Sequence, residues 1–247
     1  MRIIKDIFYT DTQALDLYLP ECDAFPLFIY FHGGGLEHGS KDAAAPFANS
    51  LCDHGIALLS ANYRMFPDAK YPDFIEDAAS AVAWAYRHMA EYGNCRGYFI
   101  SGSSAGGYLY MMLCFDASYL AKHSIDAGKV DGFLHDAGQP TAHFNVLKYK
   151  GIDPRRIIID ETAPLYHIGR AKEYPPMCFL VSDHDMENRL EQTQLVLSTL
   201  RHFRYDESKI EMKLLHGTHC HYVAQPKDGS ECPFGNIAAE FIQKYLK

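Results

Sequence analysis

The apolar positions of this chain follow two rhythms that take turns. Continuous apolar runs occur at Phe25–Phe31 (FPLFIYF), Ile56–Ala61, Tyr98–Ile100, Val130–Leu134 and Met177–Val181. Runs of that length predict strands buried on both faces of a mainly parallel sheet. Two other segments alternate: Leu15, Leu17 and Leu19 are interleaved with Asp16 and Tyr18, and Ile210–Leu215 behaves likewise. The first predicts a half-exposed strand near one edge of the sheet.

Between the strands the spacing changes to that of helices. Phe74, Ala78, Val82, Ala85 and Met89 form one stripe, opened by Pro72 and Asp73 and stopped by Gly93. Ala43–His54 predicts a second helix, capped by Ser40 or Asp42 and closed by Gly55. Tyr108–Phe115, Leu190–Phe203 and Ile237–Leu246 supply three more. Strand and helix alternate with no internal repeat and no splitting linker, so one α/β domain over residues 1–247 is expected. The pattern loosens at 138–176, where Pro140, Pro154, Pro164, Pro175 and Pro176 fall, predicting an excursion over the rim of the sheet, a small lid.

Composition narrows the class. With 247 residues, 48% of them hydrophobic, the chain can bury roughly three quarters of its unfolded surface. The net charge of −8, without a Lys/Arg patch, argues against nucleic acid or an anionic membrane as partner. Seven cysteines, odd in number and without a CxxC pair, suit free thiols better than a disulfide framework. No signal-peptide pattern and no 18-residue apolar span appears, so a cytoplasmic location is expected.

The chemistry concentrates just past the predicted strand ends, where open α/β sheets keep their sites. Gly102-Ser103-Ser104-Ala105-Gly106 is a G-x-S-x-G segment between a strand and a helix, which would set Ser104 on a tight turn. A serine hydroxyl needs a base to take its proton and an acid to orient that base. Asp183 or Asp185 follows a later strand, and His216, His219 or His221 follows the last one, giving the order Ser, Asp, His. His32-Gly33-Gly34-Gly35 follows an earlier strand; three consecutive glycines make sense where backbone N–H groups must point at a developing oxyanion, with Ala105 N–H as a further donor. His32 is expected to orient that turn and Trp84 to lie in the core; Asp136 and His143 are expected as solvated loop residues of the rim.

FHGGG, NYRMFPDAKYPDFIEDAASAVAWAY, GSSAG, the SDHD loop and the THCHY segment together resemble the acetyl-esterase, hormone-sensitive-lipase-like branch of the α/β-hydrolases, from about Pro26 onward. The resemblance implies the α/β-hydrolase fold, a mostly parallel central sheet with helices on both faces and here a minimal cap. It implies Ser104 as nucleophile, Asp185 as acid and His219 as base, with Gly34, Gly35 and Ala105 as the oxyanion hole. Ser103 stands where that branch carries an acidic residue, and His219-Cys220-His221-Tyr222 where it carries His-Gly-Phe.

The expected activity is hydrolysis of short-chain, acetyl-type esters through an acyl-enzyme, without cofactor or metal. The expected partner is a small-molecule ester, with an acetylated sugar as one candidate. An aryl-formamidase or peptidase-like acyl hydrolase would use the same triad. Two further readings are a metal site built from His216, His219, Cys220 and His221 with His184 or Asp185, and a hydrolase scaffold that only binds.

Overall fold

In the computed structural model, residues 1–224 and 232–246 are described. Eight strands form one sheet: β1 (Arg2–Phe8), β2 (Ala14–Leu19), β3 (Ala24–Phe31), β4 (Ala57–Ala61), β5 (Asn94–Ser103), β6 (Gly132–Asp136), β7 (Met177–His184) and β8 (Ile210–Thr218). The helices are α1 (Ala45–Asp53), α2 (Asp73–His88), α3 (Ala105–Phe115), α4 (Ser118–Ala121), α5 (Phe144–Tyr149), α6 (Pro164–His167), α7 (Arg189–His202) and α8 (Pro233–Tyr245). The spatial order is β1-β2-β4-β3-β5-β6-β7-β8, with β1 and β2 antiparallel to their neighbours and β3 onward parallel.

β3 explains why the continuous apolar runs are needed. Its alternate residues serve two cores: Leu27, Ile29 and Phe31 join the cluster under α2, α3 and α7, while Phe28 and Tyr30 join the one under α1 and α8. Both faces are covered, so neither set can be polar. The chain passes from β4 across β3 to β5, so the direction of strand addition reverses there. The loops after β3 and β5 therefore open a crevice at the carboxyl ends of the strands.

Most predicted elements stand within a few residues of their observed bounds, and Ser40 caps the turn that leads into α1. One expectation fails. β2 is not half exposed: all six residues are buried, because β1 covers its outer edge and Lys41 folds over Asp16 at 2.9 Å. The 138–176 excursion runs between β6 and β7; residues 138–147 of it are largely buried, Tyr108 Oη donates to Thr162 O at 2.7 Å, and α5 and α6 punctuate the segment. Short helices broken by prolines leave too little periodicity to be read from the sequence. Trp84 lies in the core as expected.

Candidate active site

β5 ends at Ser103 and α3 begins at Ala105, so Ser104 alone makes the turn, at φ 54° and ψ −109°. A non-glycine residue there is strained by about 1–3 kcal/mol and must be held by its surroundings. Ser104 N–H donates to Asp136 O at 2.9 Å, and Ser104 O accepts from Tyr108 N at 3.0 Å. The flanking glycines allow the approach of β3: a Cβ on Gly106 would stand 2.0 Å from Phe31 O.

The loop after β8 carries His219 to this turn. With the proton on Nδ1, that nitrogen donates to Asp185 Oδ1 at 2.5 Å, leaving Nε2 to accept from Ser104 Oγ at 2.8 Å. Asp185 is fixed by Ser182 N–H at 3.2 Å and Met186 N–H at 2.7 Å. Burial pushes its carboxyl upward, but the His219 contact and the two backbone donors outweigh it and hold the group below its ordinary range. Arg189, itself buried, adds a positive charge nearby. The structure thus brings Ser104, His219 and Asp185 together and leaves Asp183, His216 and His221 outside.

Those three have other partners. Asp183 accepts from His184 and His216, each at 2.7 Å, and from Gly217 N–H at 2.9 Å. His221 Nδ1 donates to Thr218 O at 2.8 Å. Among the described residues, the His/Asp cluster close enough to share a cation is Asp183–His184–His216, which is exposed and contains none of the three aligned groups.

On the other side of Ser104 stands the glycine loop. Gly34 has φ +112°, and a Cβ there would lie 2.0 Å from His38 O; Gly35 has φ +68°. His32 orients the turn as expected: its Nδ1–H donates to Gly33 O at 2.7 Å and its ring stacks on Tyr63 at 4.4 Å. Burial pushes His32 down to about 4, so it stays neutral. Asn145, at the start of α5, donates to Gly35 O at 2.6 Å and pins the loop from above. No sequence signal marks Asn145, since the contact joins residues 110 positions apart.

A cavity of about 650 Å³ opens between these walls, lined by Gly33–Gly35, Ser104, His219 and Cys220 and by apolar Ala43, Pro46, Phe144, Met186, Val223 and Ala224. Asp136 and His143 do not line it. Both are wholly buried, contrary to expectation: His143 accepts from Asn145 N–H at 3.2 Å, and Asp136 closes β6 beneath the serine turn. The Asp136 carboxylate accepts from Ser103 Oγ and Tyr222 Oη, and burial pushes it up to about 6.

A mainly parallel sheet with helices on both faces, and a serine, a histidine and an aspartate set in series by strand-end loops, defines the α/β-hydrolase class. Within it the chain belongs to the BD-FAE family, which matches residues 15–148, in the esterase branch. Esterase LipC of Mycobacterium tuberculosis (strain ATCC 25618 / H37Rv) is 28% identical over 226 residues, covering 80% of this chain and 55% of that protein. Gibberellin receptor GID1 of Oryza sativa subsp. japonica is 34% identical over 96 residues, covering 36% of this chain and 27% of that protein. The chain thus spans about half or less of these curated relatives. Among solved structures, the esterase Est2 of Thermogutta terrifontis with butyrate bound superposes with a TM-score of 0.76 at 20% identity, covering 96% of this chain and 92% of that one. No helix among the described residues is long and apolar enough to cross a membrane.

Proposed function

We propose that this protein is a serine carboxylesterase acting on short-acyl esters of a bulky alcohol. The observation that carries the reading is the unbroken hydrogen-bonded series Ser104–His219–Asp185 facing the cavity. In this reading Ser104 Oγ attacks the ester carbonyl while His219 Nε2 takes its proton. Asp185 holds the tautomer and offsets the charge gained by the imidazole. Backbone N–H groups of Gly34, Gly35 and Ala105 receive the oxyanion, and His219 then protonates the leaving alcohol. Water repeats the sequence on the Ser104 acyl-ester. No metal or organic cofactor has a step to perform. A binding-only role would need no aligned proton path, which favours turnover.

The short-acyl part rests on what covers the site. Thr162 ties the 138–176 segment to α3 and Asn145 ties it to the glycine loop, and in this reading it supports the site rather than roofing an apolar trench. The wide apolar cavity is assigned to the alcohol part; an acetylated sugar would have to present its less polar ring face there. Each methylene buried in a real acyl trench contributes about 0.8 kcal/mol, a several-fold gain in kcat/KM. Across p-nitrophenyl esters of two to ten carbons, kcat/KM is expected to peak at the short end. A maximum at eight or more would overturn the acyl assignment, and activity confined to formyl-kynurenine would replace esterase by formamidase. Ser104→Ala is expected to fold normally and lose ester hydrolysis by about 10³–10⁶-fold. Wild-type turnover in that variant would remove Ser104 as nucleophile.

A further inference from the structure

β8 pairs with β7 as far as Thr218, and His219 is the first residue beyond that ladder. Ser182 Oγ on β7 ties Thr218 to the acid's side by donating to its carbonyl at 2.8 Å, and His221 Nδ1 of the same loop donates to that carbonyl at 2.8 Å. Cys220 then turns the chain in the left-handed region at φ 51°, and Tyr222 runs back into the interior, 2% exposed. It ends on Asp136.

That carboxylate lies between the two halves of the site. Oδ1 accepts from Tyr222 Oη and sits 3.9 Å from the Cys220 thiol, so it faces the residues that follow His219. Oδ2 accepts from Ser103 Oγ, the residue before Ser104, and Ser103 Oγ in turn accepts from Tyr30 Oη at 2.9 Å. The main chain of Asp136 accepts the Ser104 N–H as well. A group at zero exposure, whose carboxylate contacts go on one side to Ser103 and on the other to Cys220 and Tyr222, has the geometry of a strut.

We propose that Asp136 is a positioning residue whose carboxylate ties the loop carrying His219 to the strand end carrying Ser104. It touches no substrate and moves no proton. The Ser104 Oγ–His219 Nε2 distance depends on where the histidine loop lands, and a small misplacement of a proton acceptor costs far more in rate than in folding. Three donors converge on Asp136 (Ser103, Tyr222 and the weak Cys220 thiol), so an acceptor-only carboxylate fits better than an amide of the same shape. Asn keeps the volume but must turn its NH₂ toward one of those donors, loosening one side of the strut.

This inference rests on the esterase reading, and the experiment separates the two. Full-length wild type, Asp136→Asn, Tyr222→Phe, their double variant and Ser104→Ala are assayed with p-nitrophenyl acetate, and each is melted at mildly alkaline pH. Asp136→Asn is expected to lower kcat about 10–100-fold with KM within about twofold. Its melting temperature should not fall, which separates lost positioning from lost structure. Tyr222→Phe should lose less, and the double variant should lose no more than Asp136→Asn, since both cut one strut. A kcat within about twofold of wild type in Asp136→Asn, or losses that multiply in the double variant, would overturn the proposal. If Asp136→Asn does not fold, Tyr222→Phe and Ser103→Ala carry the test, and an unchanged kcat in both is the overturning result. An active Ser104→Ala sinks the esterase reading itself; an inactive Ser104→Ala beside an unaffected Asp136→Asn sinks only the strut.

Discussion

Two aspartate–histidine pairs bridge the ends of β7 and β8, two residues apart on one strand and three on the other. Asp185 meets His219 at 2.5 Å, and Asp183 meets His216 at 2.7 Å, each through Nδ1. By contact alone they are the same device. They differ in surroundings: the Asp185 side chain is 1% exposed and that of His219 24%, against 31% and 87% for the other pair. Water competes with the outer pair for every hydrogen bond, and among the described residues no serine bonds the far nitrogen of His216. The inner pair is shielded, and its far nitrogen reaches Ser104. A carboxylate can lock an imidazole tautomer only where solvent does not offer the alternatives.

The sharpest way to break this comparison is to neutralise each acid in turn. Asp185→Asn is expected to cut kcat about 10⁴-fold with KM little changed, because the amide presents the wrong partner to Nδ1. His219→Ala should be at least as severe. If Asp185→Asn retained most of the activity, the two pairs would be equivalent and the assignment of the acid would fail.

A second effect, of intermediate size, belongs to Asp136. Its carboxyl is raised in the folded protein from 3.8 to about 6, burial being the first cause. The folded state therefore holds the proton more tightly than the unfolded chain does. The stability contributed is fully present below the unfolded value and is lost as pH rises through about 6, by about 3 kcal/mol in all. Asp136→Asn, which cannot ionise, should lack this loss. Denaturant titrations of both proteins across that range test it: the variant's relative stability should grow with pH, and a gap that stays constant would contradict the raised value. Exposed Asp183 has the opposite sign: its carboxyl is held low first by Gly217 N–H and then by His216, so what it contributes is present at higher pH and is lost as pH falls.

The smallest effect is expected at the outer pair. Asp183→Asn and His216→Ala should each leave kcat/KM within about twofold, as surface changes away from packed groups usually do. His221→Ala probes the loop between, since its Nδ1 lies 2.8 Å from Thr218 O and 3.5 Å from Ser182 Oγ, and does not touch Ser104. A loss there comparable to that of His219→Ala would mean that the proton passes by another route.

The sequence made the sheet legible because parallel strands buried on both faces must be apolar throughout, as Phe25–Phe31 is. It made the serine turn legible because Gly102 and Gly106 are forced by contact with Phe31. Asp183 and Asp185 were separable only through the resemblance, since both follow the same strand and alternation says nothing about which carboxylate turns inward. Asp136 reads as a loop residue because its partners, Ser103 and Tyr222, lie on another strand and in a distant loop. β2 misled for a related reason. Asp16 reads as a solvent-facing position, yet Lys41 lies 2.9 Å away and covers it. Charges matched across long sequence distances leave no local pattern.

β8 stands at the end of the strand order, paired along one side, and several of its residues are half exposed. Terminal strands open first in native-state fluctuations, because fewer apolar contacts hold them than hold central ones. The loop with His219 is attached to this strand, whereas Ser104 hangs from β5 in the middle of the sheet. The half-site carried by β8 is therefore expected to exchange faster than the half-site carried by β5. On gentle warming, amide hydrogen exchange should rise along Ile210–Thr218 and hydrolysis should fade with it, while the amides of β3 and β5 remain protected.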